Sequence, residues 1–76
     1  METVTDIINA FNSAEDLASE IGEKGVTVRA WRMRNSIPPR YWPAIESAAK
    51  RRNIETITID TLAAVAIARS SQLRAG

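Results

Sequence analysis

Hydrophobic residues recur at intervals of three and four along most of this chain, the spacing of amphipathic helices. Strand signals are nearly absent, because the one alternating segment, Glu55–Ile59, is short and lies beside a helix start. The pattern therefore predicts a compact all-α domain of five helices. The first helix is expected to have Thr5 as its N-cap and to bury Ile7, Ile8 and Phe11.

The second and third helices are expected to flank a glycine turn. Ser13, followed three residues later by an acidic residue, forms an acidic variant of the capping box and predicts a helix over Ala14–Ile21. Gly22 would end that helix with a positive φ. A third helix is predicted near Val26–Arg34, and Asn35 with the serine after it would stop that helix.

Two prolines and a threonine indicate where the last two helices begin. Pro38-Pro39 predicts a tight turn followed by a fourth helix that reaches about Arg52. Thr58 is expected to cap a fifth helix over about residues 59–73. Together with the first three helices, these elements account for nearly the whole chain.

The fifth helix is apolar on every side between Leu62 and Ala68. A helix on a monomer needs only one apolar stripe, and a chain this short has a thin margin of stability from its own core. The excess of apolar surface on this helix predicts a homodimer. The predicted interface residues are Leu62, Val65, Ala66 and Ile67. In the alternative interpretation, this helix is the central one and the other four wrap around it.

The composition predicts a single domain, residues 1–76, and excludes several classes of site. Without cysteine or histidine, the chain cannot form disulfides, thiolate metal sites or zinc fingers. No phosphate-binding glycine loop or catalytic carboxylate pair is evident, so no enzymatic activity, cofactor or small-molecule substrate is predicted. No apolar run approaches the ~20 residues that cross a bilayer, and no signal peptide is present, so a soluble cytoplasmic protein is expected.

The net charge of +1 conceals a segregation of charges. Residues 1–23 hold six acidic and no basic side chains, whereas residues 24–52 hold eight basic side chains and one acidic one, Glu46. An acidic block followed by a basic block is typical of a dipolar molecule whose basic side meets a polyanion. Alternatively, the acidic and basic helices attract each other within the fold.

Four residues in this region have the spacing of a helix-turn-helix over about residues 14–34: Ala18, Gly22, Val28 and Trp31. Ala18 suits the closest approach of two crossing helices, and Gly22 suits a left-handed turn. Val28 and Trp31 lie one helical turn apart and would pack back onto the second helix. The spacing and the basic charge together predict DNA binding.

The opposite face of the third helix is then turned outward, since successive residues are ~100° apart. Arg29 could donate to a guanine, Val26 could contact a thymine methyl, and Ala30 would allow close approach. The predicted base-reading residues are Val26, Arg29, Ala30 and Met33. The predicted phosphate contacts are Thr27, Arg32, Arg34, Arg40 and Tyr41.

Some of these positions have structural alternatives. Each flanking arginine could instead be solvated or ion-paired, and Tyr41 and Trp42 could belong to the core. Lys50, Arg51 and Arg52 end a helix, where cations stabilise the helix dipole, so this triplet is interpreted as structural.

The arrangement A-x3-G-x5-V-x2-W, followed by IPPRYWPAIESAAKRRNI, resembles the Cro/repressor-type helix-turn-helix family of phages and bacteria. It is most similar to the YdaS-like and carph-isopro variants, which share the pattern W-x5-IP-x3-WPAI-x2-AA of Trp31–Ala49. The resemblance covers about residues 6–57. It implies a lambda-repressor-like fold that binds operator DNA as a homodimer and represses transcription in phage or mobile-element circuits. It also makes the helix over about 26–34 the recognition helix and places Lys24 at its start, as a further phosphate contact.

Three positions depart from the family pattern. Ala14 stands where the family often has a phosphate-contacting glutamine, Glu23 where an apolar residue follows the turn glycine, and Gly25 where a polar residue caps the recognition helix. The predicted function is a sequence-specific, dimeric transcriptional regulator that binds double-stranded DNA. The alternative is a protein-interaction module, such as an antitoxin or adaptor, that keeps the helical fold.

Overall fold

Residues 3–75 are described by the computed structural model, and side chains are described for residues 3–67. The α-helices in this range are α1 (Val4–Ala10), α2 (Ala14–Ile21), α3 (Gly25–Arg34), α4 (Trp42–Arg51) and α5 (Ile59–Ala75). The same range contains no strand, and a 3-10 turn over Pro39–Tyr41 leads directly into α4. The predicted all-α fold with five helices is therefore confirmed.

The first helix begins two residues earlier than the sequence predicts, at a reciprocal cap. The Thr3 hydroxyl accepts a hydrogen bond from the backbone N–H of Asp6, and the Asp6 carboxylate accepts one from the backbone N–H of Thr3. Thr5 is an exposed residue inside the helix, so its prediction as the N-cap is wrong. The physical reason is that the side chains of Thr3 and Asp6 each accept a hydrogen bond from the other residue's backbone N–H. Ile8, three residues after Thr5, has no side-chain oxygen that could accept from the backbone N–H of Thr5.

The second helix and the turn after it agree with the sequence prediction. The Ser13 hydroxyl accepts from the backbone N–H of Asp16 and caps α2. Gly22 ends α2 in the left-handed region at φ 73°, which residues with a Cβ rarely adopt. α3 begins one residue before the predicted Val26, and Asn35 ends it, also left-handed, at φ 52°. The connection between α2 and α3 is therefore short and consists of residues 22–24.

The starts of the last two helices also agree with the prediction. α4 follows a tight turn over Pro39–Tyr41. The Thr58 hydroxyl accepts from the backbone N–H of Thr61 at 3.2 Å, as expected of an N-cap. Glu46 Oε2 accepts from the backbone N–H of Ile59 at 2.8 Å. The N-terminus of α5 is thus satisfied both by its own cap and by a side chain of α4.

A hydrophobic core lies among the helices and includes the inner side of each. Its largest fully buried side chains are Trp31, Phe11, Ile7, Ile8, Leu17, Ile45, Ile57, Val4 and Val28. The three residues predicted to face inward on the first helix are among them. Within residues 3–67, no polar or charged side chain is buried, so apolar burial supplies the main driving force for folding.

The inner side of α5 belongs to this core. Leu62 and Val65 are only 2% and 4% exposed, so their side chains already pack inside the single chain. Little of their surface is left for a second subunit, and the homodimer stays a prediction. The physical reason is that a chain of this length needs the apolar stripe of α5 to complete its own core. Of the other two predicted interface residues, Ala66 is half-buried and Ile67 is 66% exposed.

Candidate nucleic-acid interface

Small and apolar side chains fill the space between α2 and α3. Ala18 on α2 is 1% exposed, and Val28 and Trp31 on α3 are 0% and 2% exposed. Trp31 also packs against Tyr41 of the following turn, with ring centroids 4.7 Å apart and ring planes tilted by 50°. The inner side of α3 is therefore packed against α2, as the spacing of Val28 and Trp31 predicts, and Trp31 also contacts the turn before α4.

The outer face of α3 exposes two large apolar side chains. Val26 is 59% exposed and Met33 is 87% exposed, whereas Ala30 is half-buried. The Arg29 side chain is 44% exposed. By the helical period, these four residues lie on the side of α3 that is turned away from Val28. Exposed apolar side chains grouped in this way are typical of a surface that contacts another molecule.

Arg29 is paired with an acidic residue of the neighbouring helix. Its Nη1 donates to Oε1 of Glu15, in the first turn of α2. Gly25 lies beneath this pair: a Cβ added there would be 3.1 Å from Arg29 Nη1 and 3.1 Å from Glu15 Cγ. Sequence reasoning missed Glu15 because the partners are 14 residues apart and only the packing of α2 on α3 brings them together.

The basic residues at the end of α4 are paired within the fold. Lys50 Nζ lies 4.0 Å from a carboxylate oxygen of Glu46. Arg51 and Arg52 lie 3.4 Å and 3.5 Å from the two carboxylate oxygens of Glu20 on α2. The acidic and basic blocks therefore attract each other here, and the contacts agree with a structural interpretation of this triplet.

Four other cations are exposed and have no ion pair with any residue in the described range: Lys24, Arg32, Arg34 and Arg40. Lys24 directly precedes α3, and Arg32 and Arg34 lie in its last turn, on opposite flanks by the helical period. The Arg40 guanidinium lies 5.1 Å from the centroid of the Tyr41 ring. All four are predicted phosphate contacts, and their positive charge is available to an external anion.

The Tyr41 hydroxyl is engaged inside the fold. It donates to Glu23 Oε2 at 2.9 Å, while its half-buried ring packs against Trp31. The sequence predicts a phosphate contact for this hydroxyl, but its proton is already committed to Glu23. The same bond gives Glu23, whose charge opposes an approaching phosphate, a partner within the fold. Thr27, another predicted phosphate contact, is half-buried on the flank of α3.

Comparisons with protein-family models, curated proteins and solved structures gave no match to this chain. The similarity to the Cro/repressor-type family stays a prediction. Within residues 3–75, no helix has both the length and the hydrophobicity of a membrane span, and no group of acidic side chains is arranged to hold a metal ion. The outer face of α3 and its surrounding cations are therefore the basis for assigning a function.

Proposed function

We propose that the protein is a sequence-specific DNA-binding transcriptional regulator in which α2 and α3 form a helix-turn-helix. The observation that carries this proposal is the outer face of α3, where Val26 and Met33 are exposed and three of the four unpaired cations, Lys24, Arg32 and Arg34, lie at the two ends of the same helix. Exposed apolar side chains have little to gain in water. In a DNA groove, thymine methyls would cover the apolar residues, and phosphates would bind the cations.

In this proposal α3 is the recognition helix and enters the major groove, which is wide enough to admit a helix. Arg29 donates to O6 and N7 of a guanine, and Val26 and Met33 contact apolar base edges. Ala30 allows the helix to approach closely. A good bidentate contact of the Arg29 type discriminates against a wrong base by about 1–3 kcal/mol.

The unpaired cations supply the contacts to the DNA backbone. Phosphate contacts of this kind set the register of a protein on the duplex but carry no sequence information. We assign this role to Lys24, Arg32, Arg34 and Arg40. Thr27 adds a hydroxyl on the flank of the helix. Tyr41 contributes mainly through packing, because its hydroxyl donates to Glu23.

We further propose that the regulator is a homodimer that represses transcription by occupying a promoter. Dimeric helix-turn-helix proteins bind two half-sites about one helical turn apart or a multiple of it. Because Leu62 and Val65 are buried, the contact between subunits would use the outer side of α5, where Ile67 is exposed. The spacing of half-sites in the bound DNA would report the geometry of that dimer.

A protein-interaction module is the second candidate, and the apolar exposure of α3 also favours it. Val26 and Met33 would suit a protein partner. The exposed Glu15 carboxylate beside Arg29 opposes the approach of a phosphate backbone. The unpaired cations around α3 favour DNA over this alternative, because a neutral protein surface would not compensate their charge.

Selection of bound sequences from random DNA, followed by titration at several salt concentrations, tests the proposed function. We expect a palindromic site and a steep fall in affinity with salt, since each neutralised phosphate releases counterions. An adaptor would enrich no site and would bind DNA with little salt dependence. That outcome would refute the regulator and favour the protein-interaction module.

Replacing one unpaired cation provides a second test. Arg34→Gln should weaken binding to selected and random DNA alike and reduce the slope of log affinity against log salt by about 1. Lys50→Gln is the matched control, because it removes the same charge from a cation near Glu46. It should leave the slope unchanged. Equal effects of the two variants would mean that only net charge matters and that Arg34 is not a phosphate contact.

A further inference from the structure

The ion pair between Glu15 and Arg29 joins the two helices of the proposed DNA-binding unit at its surface. Both side chains remain accessible, with 60% of Glu15 and 44% of Arg29 exposed. Only Nη1 of the guanidinium is bonded to the carboxylate. A guanidinium carries five N–H donors in a planar fork, so the edge formed by Nε and Nη2 is still able to donate elsewhere.

Gly25 makes this arrangement possible. Its backbone passes so close beneath the pair that a Cβ would be 3.1 Å from both Arg29 Nη1 and Glu15 Cγ, tighter than most real Cβ contacts. Its φ is not in the left-handed region, so the absence of a side chain here serves the space around the pair rather than the backbone conformation. Three residues from two helices thus form one local arrangement around the Arg29 side chain.

We infer that Glu15 is a positioning residue, which holds Arg29 so that its free Nε–Nη2 edge reads a guanine in the major groove. This inference rests on the proposed function. An arginine on a helix surface samples many rotamers, and each must be lost when it binds a base. A carboxylate that already holds one end of the fork reduces that loss and restricts the direction in which the other N–H groups point.

The negative charge of Glu15 also affects the affinity for DNA of any sequence. Glu15 lies beside the surface that would meet phosphates, and its charge reduces attraction to them. Glu15 therefore lowers affinity for random DNA while it raises discrimination at one base pair. The two effects can be measured separately, because only the second depends on the Arg29 guanidinium.

The test compares Glu15→Ala with Glu15→Gln on the selected operator and on operators with each guanine replaced in turn. Both variants remove the charge and should bind random DNA more tightly than the unmodified chain. Only Glu15→Gln keeps an oxygen that can accept from Arg29 Nη1. We expect Glu15→Ala to lose about tenfold in discrimination at one guanine, and Glu15→Gln to keep most of it.

Two further variants serve as controls. Glu55→Ala removes one exposed carboxylate from the connection between α4 and α5, so it should change neither discrimination nor the ranking of operators. In an Arg29→Ala background, the added Glu15→Ala change should have no effect on discrimination, because there is no guanidinium left to position.

Gly25→Ala probes the same arrangement without altering any charge. The added methyl group meets Arg29 Nη1 and Glu15 Cγ, and both side chains are exposed and can change rotamer, so the fold and the thermal unfolding midpoint should be kept. The Glu15–Arg29 pair must shift to make room. Discrimination at the same guanine should therefore fall while affinity for random DNA stays unchanged.

Several outcomes would overturn the positioning role while leaving the regulator itself intact. Equal discrimination in Glu15→Ala and Glu15→Gln would assign the effect to charge alone. An effect of Glu15→Ala that persists in the Arg29→Ala background would make Glu15 a direct base contact. If the unmodified chain selects no operator at all, it is the proposed function that fails.

Discussion

Three asparagines adopt left-handed backbone conformations at the ends of helices. Asn12, Asn35 and Asn53 have φ angles of 82°, 52° and 60°. Asparagine tolerates this region better than most residues with a Cβ, because its short side chain can form local hydrogen bonds. Asn35 has a second role: its Oδ1 accepts from the backbone N–H of Val4 at 3.0 Å. The residue that ends α3 therefore also satisfies a free donor in the first turn of α1.

Two substitutions separate the roles of Asn35. Asn35→Gly keeps the left-handed backbone but removes the acceptor, so it should lower the free energy of unfolding by about 1 kcal/mol. Asn35→Ala also strains the backbone and should cost about 1 kcal/mol more. Urea unfolding followed by circular dichroism measures both changes. If Asn35→Gly unfolds at the same urea concentration as the unmodified chain, the bond to Val4 contributes nothing.

At the scale of elements, the packing of α2 on α3 decides which side of α3 is available to a ligand. Ala18 is buried where the helices meet, whereas the next residue, Ser19, is exposed. A methyl side chain lets the helices approach closely enough for Val28 and Trp31 to reach the core. The exposure of Val26 on the opposite side is the direct result of this packing.

Valine substitutions on the buried and exposed sides of α2 test whether Ala18 lies at a tight contact between the helices. Ala18→Val should lower the free energy of unfolding by about 1–3 kcal/mol, because the added methyl groups have no space between the helices. Ser19→Val introduces the same β-branched residue on the exposed side and should change stability by less than about 0.5 kcal/mol. Thermal unfolding of the two variants provides the comparison. Similar midpoints would show that Ala18 does not lie at a tight contact.

At the scale of the whole molecule, internal pairing decides which cations remain available. Glu20 on α2 pairs with Arg51 at the end of α4 and with Arg52 just after it, so its carboxylate offsets part of their positive charge. Exposed ion pairs of this kind add only ~0–1 kcal/mol to stability, so their main effect is on the distribution of charge. Among residues 3–67, three of the four cations without an ion pair lie at the ends of α3: Lys24, Arg32 and Arg34. A net charge of +1 is therefore compatible with a strongly basic surface.

The proposed dimer is also a property of the whole molecule. Ile67→Glu should convert a dimer to monomers in light scattering and weaken binding to an operator with two half-sites, because it places a charge in the contact. Thr56→Glu adds the same charge to an exposed residue before α5 and should leave the mass unchanged. Val65→Glu is not a suitable test of the dimer contact, because it would place a charge in the hydrophobic core and destabilise the single chain. A dimer that persists in Ile67→Glu would locate the contact elsewhere.

The sequence by itself determined the local structure of this protein. The caps at Ser13 and Thr58 and the left-handed end at Gly22 depend on residues within one helical turn of each other. The inward side of α3, with Val28 and Trp31, follows from the helical period. For this reason the helices and the outer face of the candidate site could be predicted without knowledge of their neighbours.

Only the tertiary structure decided which charged and apolar groups are free to act. Arg29 is paired with Glu15 and Tyr41 with Glu23, although each pair is far apart along the chain. Leu62, which the sequence pattern predicts at a dimer interface, is buried in the core of its own chain. The physical reason is that a side chain's availability depends on how helices cross in space, and the residue spacing within one helix contains no information about that crossing.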